Sequence, residues 1–246
     1  MQIPDDCLEK GIYPIFFISL LYFIANIGNY LQREYGYHPS KSVVYEWIDK
    51  YTTMAIEHFR NCKPQVGDSW ILDETILDVD GRKIYFWDII DVQTRFLLAS
   101  RALLHHTSED VQKLMESAFK RASKAPKVII TNKLSSCPGS IELNFSAATE
   151  HSRSLSFVFK ENTALIELFR GALKGRIKVM RGFKDFDTLI EFAEGFLVFY
   201  NFFKLHEALG SRTPADVAQI NYKARNWADV SRISTSSRMK VRFTKQ

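Results

Sequence analysis

Asp73, Asn132 and Glu167 are the residues whose types and spacing point to chemistry. Asp73 lies in Ser69-Trp70-Ile71-Leu72-Asp73-Glu74-Thr75, which reads as a buried strand delivering a carboxylate to its end. Asn132 follows Val128-Ile129-Ile130-Thr131, a second short buried strand. Glu167 falls one turn into a helix expected from about Ala164 to Lys174. Three acids on two strands and a helix can hold a pair of divalent ions at a phosphodiester. One ion activates the attacking oxygen and the other stabilises the leaving oxygen. Magnesium, or manganese in its place, suits such hard oxygen ligands and takes one or two carboxylates per ion. The middle position here is an amide. Asparagine keeps one oxygen but loses the charge and the ability to bridge two ions, so metal affinity and turnover are expected to fall severely. Plainer roles exist for both acids: a strand-end cap for Asp73 and an exposed helix position for Glu167.

The elements that must position these groups form an α/β pattern. Trp70 to Leu77 predicts a strand, and Asp78-Val79-Asp80-Gly81 a hairpin turn. Lys83 to Asp91 and Arg95 to Arg101 complete a three-stranded antiparallel meander. Ser108 opens a helix with Glu109 and Asp110 in its first turn, and Val111, Leu114, Met115 and Phe119 form its apolar stripe. Pro126 ends the connection to the strand at Val128, giving a crossover back to the first strand and a mixed sheet with helices on its faces. Phe157 to Phe159 suggests one more short strand or loop, and Phe186 to Phe203 a long apolar helix. Thr213 and Pro214 read as N-cap and first residue of a short helix. Asp78, Asp80 and Asp91 read as turn formers, and Trp70 and Trp87 as core. Glu74 should face away from Asp73, since strand side chains alternate.

Upstream, residues 12 to 31 are the most apolar run. Pro14, Asn26, Gly28 and Asn29 interrupt it, and acids precede it. The reading preferred over a membrane span is one or two buried helices. Gly36 and Pro39 then make a turn, Ser40 or Ser42 caps a second helix, and Val43, Val44, Trp47, Ile48 and Tyr51 keep its period. Helix, short glycine turn, helix is the outline of a helix-turn-helix, and Lys41 at its start is a candidate DNA contact. Asn61 to Asp68 reads as a linker. The expected division is a helical domain at 1–62, a catalytic-type core at 63–218 and a basic tail at 219–246.

Charge supports a nucleic-acid partner without requiring one. The 246 residues carry a net charge of +5. The tail from Gln219 holds Lys223, Arg225, Arg232, Arg238, Lys240, Arg242 and Lys245 against Asp229 alone, so the excess sits there. Arg170, Lys174, Arg176, Lys178, Arg181 and Lys184 form a second basic cluster just past Glu167. Cys7, Cys62 and Cys137 have no metal or redox spacing, which argues against a disulfide scaffold and for a reducing compartment.

With these motifs in view, the sequence resembles the DDE transposases of bacterial and archaeal insertion sequences, closest in likeness to the IS6-type group. The resemblance runs from about Tyr22 to Ala218. It rests on the strand ending in Asp73-Glu74-Thr75, on Asn162 to Gly182, and on the closing stretch Tyr200-Asn201-Phe202-Phe203-Lys204-Leu205-His206-Glu207-Ala208-Leu209-Gly210-Ser211-Arg212-Thr213-Pro214-Ala215. It implies an RNase H-like core and an N-terminal helix-turn-helix for the element's inverted repeats. It also implies double-stranded DNA ends and target as partners, dimeric synapsis, Mg2+- or Mn2+-dependent strand transfer, and a cytoplasmic, nucleoid-associated location without a membrane. Asp73 falls at the family's first acid, Asn132 at its second and Glu167 at its third. The family's third-acid helix usually has Asn, Arg, His, Thr and Asp where this chain has Ala164, Leu168, Arg170, Ala172 and Gly175. Such replacements are the mark of a decayed or repurposed copy: a weakened transposase, a catalytically dead DNA-binding protein or repressor, or a product without a retained role.

Overall fold

The structure is a computed structural model, and it describes residues 24–79, 82–103, 107–131, 150–152, 165, 167–175, 186–227 and 229–232. The described residues fall into two compact units, one holding 24–60, 175 and 222–232, the other 61–174 and 186–221.

In the first unit, α1 (Ile24–Tyr35) and α2 (Lys41–Phe59) are joined by a turn with Gly36 at φ 67°. A left-handed residue costs glycine nothing there. Ser40 caps α2 by accepting from the Val43 amide at 3.3 Å. Val44, Trp47, Tyr51, Ala55 and Phe59 are buried at three- and four-residue steps, so one stripe of α2 faces the interior. Tyr37 stacks on Trp47, and Phe59 meets Tyr222 edge-on. This agrees with the helix pair read from the sequence. The apolar run before residue 24 lies outside the described residues. No helix among those described is long and apolar enough to cross a membrane.

The second unit is built on a mixed sheet of five strands: β1 (Ser69–Val79), β2 (Arg82–Asp91), β3 (Leu97–Leu103), β4 (Val128–Thr131) and β5 (Glu150–Ser152). Their order across the sheet is β3-β2-β1-β4-β5. β1, β2 and β3 pair antiparallel, while β4 and β5 run parallel to β1. This is the RNase H-like arrangement expected from the sequence. β5 was not expected; three residues are too few to carry a periodic signature. The stretch at 157–159 lies outside the described residues.

The helix α3 (Ser108–Ala122) connects β3 to β4. Its cap is Thr107, one residue before the serine picked out in the sequence. Thr107 and Asp110 exchange side-chain and backbone bonds in a full capping box. Val111, Leu114, Met115, Ala118 and Ala122 are its buried stripe. A helix over 167–175, α4, carries Glu167. The apolar segment expected as one helix from Phe186 to Phe203 is instead α5 (Phe186–Val198) followed by a π-turn, Phe199–Phe203, with all five turn residues buried. The closing stretch ends in α6 (Pro214–Val217), capped by Thr213 as predicted.

The π-turn is explained by what it satisfies. Ile89 pairs with Ala99 and Ile90 with Leu97, so Leu98 is an extra residue on β3. The buried Asn201 side chain accepts from the Leu97 amide and donates to the Leu97 carbonyl, both at 2.8 Å. The wider turn places that amide against the bulged strand. At the other end of the bulge, Asp91 closes the β2–β3 turn. Its carboxylate accepts from the Thr94 amide and hydroxyl and from the Gly67 amide, the turn-forming role read from the sequence.

Candidate active site

Asp73 sits in the middle of an eleven-residue strand rather than at its end, but at a special place in the sheet. Leu72 pairs with Thr131, so Asp73 is the first β1 residue past the short β4 ladder. β1 continues beyond it only because β2 supports it. The carboxylate is 2% exposed. A charge so buried must be paired. Arg170 supplies the partner: its Nε and Nη2 donate to the two Asp73 oxygens at 2.7 Å each, and Nη2 also reaches the Glu74 carbonyl at 3.1 Å. This is the bidentate fork of guanidinium on carboxylate.

α4 delivers Arg170 by conventional packing. Leu165, Phe169 and Leu173 are buried four residues apart. Phe169 is wedged edge-on against Phe196 and Tyr200 at 5.7 and 5.2 Å between ring centres. That fixes the roll of the helix. Glu167 and Arg170, three apart, then share a face, and Arg170 Nη1 approaches Glu167 at 3.4 Å. Asp73 and Glu167 are thus joined through one guanidinium. Glu167 is mostly exposed.

A second buried acid completes the row. Asp88 on β2 is the direct cross-strand partner of Asp73, and Ser100 on β3 is the partner of Asp88. Opposed residues of neighbouring strands share a face of the sheet. Ser100 Oγ donates to Asp88 Oδ1 at 2.6 Å, while Oδ2 has no hydrogen-bond partner among the described residues. Burial pushes the Asp88 carboxyl up to about 8, and the nearby Asp73 charge adds to the rise against the opposing Ser100 bond and Arg170. Asp88 is therefore largely protonated at neutral pH. Burial also raises Asp73, with Arg170 as the main opposing influence.

Asp88 was missed in the sequence although a signal was present. The Asp-Gly hairpin signal in the sequence sets a register, and the observed pairing of Val79 with Arg82 puts Asp88 opposite Asp73. An acid between Trp87 and Ile89-Ile90 is also a burial warning. Of the other expected residues, Lys41 and Lys174 are exposed on their helices. Asn132, Arg176, Lys178 and Arg181 lie outside the described residues. Glu74 is buried one position on from Asp73. His206 is neutral and structural in character: its ring packs edge-on against Tyr200 at 4.8 Å, and burial, then Lys204, lower it to about 4.

The side chains as arranged do not fit a divalent ion. Both Asp73 oxygens are engaged by Arg170, and Glu167 faces the same guanidinium. Among the described residues no group of three His, Cys, Asp or Glu side chains is disposed to hold a metal.

The strand order and flanking helices define an RNase H-like core. A family model described as a DDE domain, of the IS240 transposase type, matches residues 67–206, and the chain belongs to this family of transposases. No curated protein matches the sequence. Among solved structures, a chain of the simian T-cell lymphotropic virus intasome aligns with TM-score 0.49 and 12% identity, covering 66% of this chain and 60% of that one. The HTLV-2 integrase catalytic core in complex with magnesium aligns with TM-score 0.49 and 15% identity over 63% of this chain and 99% of that one. The core of BIV integrase aligns with TM-score 0.44 and 12% identity over 62% and 94%.

Proposed function

We propose that this protein is a transposase-type DNA-binding protein of the IS6-like kind, in which strand cleavage and strand transfer are impaired. Its partners are double-stranded inverted-repeat ends and target DNA, engaged by a pair of copies in the cytoplasm at the nucleoid. The observation that carries the reading is that the fold brings Asp73 and Glu167 onto one Arg170, 97 residues from Asp73, within the matched domain. The α1–α2 pair, with Lys41 exposed at the start of α2, supports helix-turn-helix recognition of ends. Lys174 and the sequence-adjacent Arg176, Lys178 and Arg181 support phosphate contacts beside the core. Any strand transfer that remains would use Mg2+ or Mn2+ at the positions of Asp73, Asn132 and Glu167, and would first require Arg170 to leave Asp73.

A second reading, a DNA-binding protein or repressor without catalysis, is favoured by the engagement of both Asp73 oxygens. One experiment separates the readings. Native protein, Asn132→Asp and Glu167→Ala are assayed for binding and cleavage of end-containing DNA, with magnesium and then manganese. Weak native cleavage, lost in Glu167→Ala, supports the first. Sequence-preferring, salt-sensitive binding without cleavage supports the second. Binding that is flat across sequences, with no cleavage by any variant, defeats both.

A further inference from the structure

We propose that Arg170 is the resident cation of this site: its guanidinium fills the place between Asp73 and Glu167 that a divalent ion would need, and it keeps that ion out. The inference rests on the carboxylate pair being the ancestral metal site, and it deepens that reading. It also changes what a repair must do, because restoring an acid at position 132 leaves the obstruction in place.

Four observations carry it. The contact is a two-point fork at 2.7 Å, so one in-plane lone pair on each Asp73 oxygen is already committed. The same side chain is tied at two more points, the Glu74 carbonyl and Glu167. The helix that bears it is locked by Phe169 between Phe196 and Tyr200, so it cannot withdraw by rolling. Finally, Asp73 is 2% exposed and Arg170 is 22% exposed, so the pair is held where water screens it poorly.

Guanidinium is also the least removable cation a side chain offers. It stays protonated throughout the working pH range and cannot leave by losing its proton, as an ammonium can. A divalent ion arriving at Asp73 must displace a tethered positive charge from a buried carboxylate or sit beside it, and the two cations repel. Asp88 does not ease the conflict. It sits opposite Asp73 in the sheet row, but its Oδ1 is held by Ser100 and the residue is buried.

The test is metal binding on the full chain without DNA, so its outcome is independent of whether the protein recognises ends. Mn2+ is titrated and followed by electron paramagnetic resonance and by thermal shift. The proteins are native, Asn132→Asp, Asn132→Asp with Arg170→Gln, and Asn132→Asp with Arg170→Lys. The native chain and Asn132→Asp are expected to show no saturable site below about 1 mM, the weak end of protein sites for hard cations such as calcium. The Gln double variant gains one at least tenfold tighter, which Asp73→Asn removes. The Lys double variant, which keeps the positive charge, binds less tightly than the Gln variant. Equal binding by Asn132→Asp alone and by the Gln double variant overturns the proposal, as does a folded Gln double variant that binds nothing. Should the variants fail to fold, the native chain decides. Its Arg170 Nε–H resonance is expected to stay sharp as Mn2+ is added at sub-millimolar concentration, and paramagnetic broadening there overturns the proposal.

Discussion

Asp73 and Asp88 face each other directly across β1 and β2, yet one is gripped by Arg170 and the other is kept protonated by burial. Two adjacent buried carboxylates seldom both ionise, and here the guanidinium selects which one does.

That selection makes stability depend on pH with a definite sign. Asp88 in the folded chain lies at about 8, above the ordinary aspartate value of about 3.9 in the unfolded chain. Its stabilising contribution is complete below about pH 4 and is lost as pH rises through about 8. Asp88→Asn keeps the shape and removes the titration. Urea unfolding at pH 5, 6.5 and 8 should show the variant gaining on the native chain as pH rises. A stability difference constant across the three values would exclude a protonated Asp88.

Breaking the Asp73–Arg170 pair leaves a buried charge uncompensated. Arg170→Ala is expected to cost about 2–4 kcal/mol, less than a fully dry pair because the arginine retains some solvent contact. Adding Asp73→Asn removes the stranded charge and should recover much of that loss. A double-mutant cycle with near-zero coupling would show that the fork contributes nothing.

Asn201 closes the hydrogen bonds of the β3 bulge. Asn201→Leu keeps the volume but leaves the Leu97 amide and carbonyl unpaired in a dry interior. Each such group costs about 1–3 kcal/mol, so the chain should lose about 2–5 kcal/mol by chemical denaturation. The Leu97 amide should also exchange its hydrogen faster in the variant. An unchanged rate at that amide would remove Asn201 from the role.

His206 acts in the opposite pH direction. It is lowered to about 4 by burial and by Lys204, against about 6.5 when unfolded. Its contribution is present above about pH 6.5 and is lost as pH falls through about 4. His206→Gln should therefore flatten the acid side of the stability profile, a change readable in the midpoint of acid unfolding. A midpoint unmoved by the substitution would contradict this.

Much of the scaffold was legible because it follows local rules. The Asp80-Gly81 loop signals the hairpin, Thr213-Pro214 the last helix, and Val111, Leu114 and Met115 the face of α3. The family was legible from motifs, and the fold brings Asp73 and Glu167 to one guanidinium. The electrostatic state of the site was not. Arg170 read as one more member of a basic run, and nothing in a linear pattern distinguishes a guanidinium facing phosphate from one folded back onto a strand 97 residues away. Asp88 was readable in principle from hairpin register and was overlooked in favour of the turn acids around it. The π-turn escaped because an apolar run such as Phe199-Tyr200-Asn201-Phe202-Phe203 continues a helical pattern whether it winds tightly or widely.

The fork on Asp73 also sets the order in which history can run. An acid introduced at position 132 alone meets a carboxylate already forked by Arg170. Loss of Arg170 alone strands a buried charge and weakens the fold. If Arg170 excludes the ion as proposed, neither substitution by itself restores a metal site, and only the two made together do so.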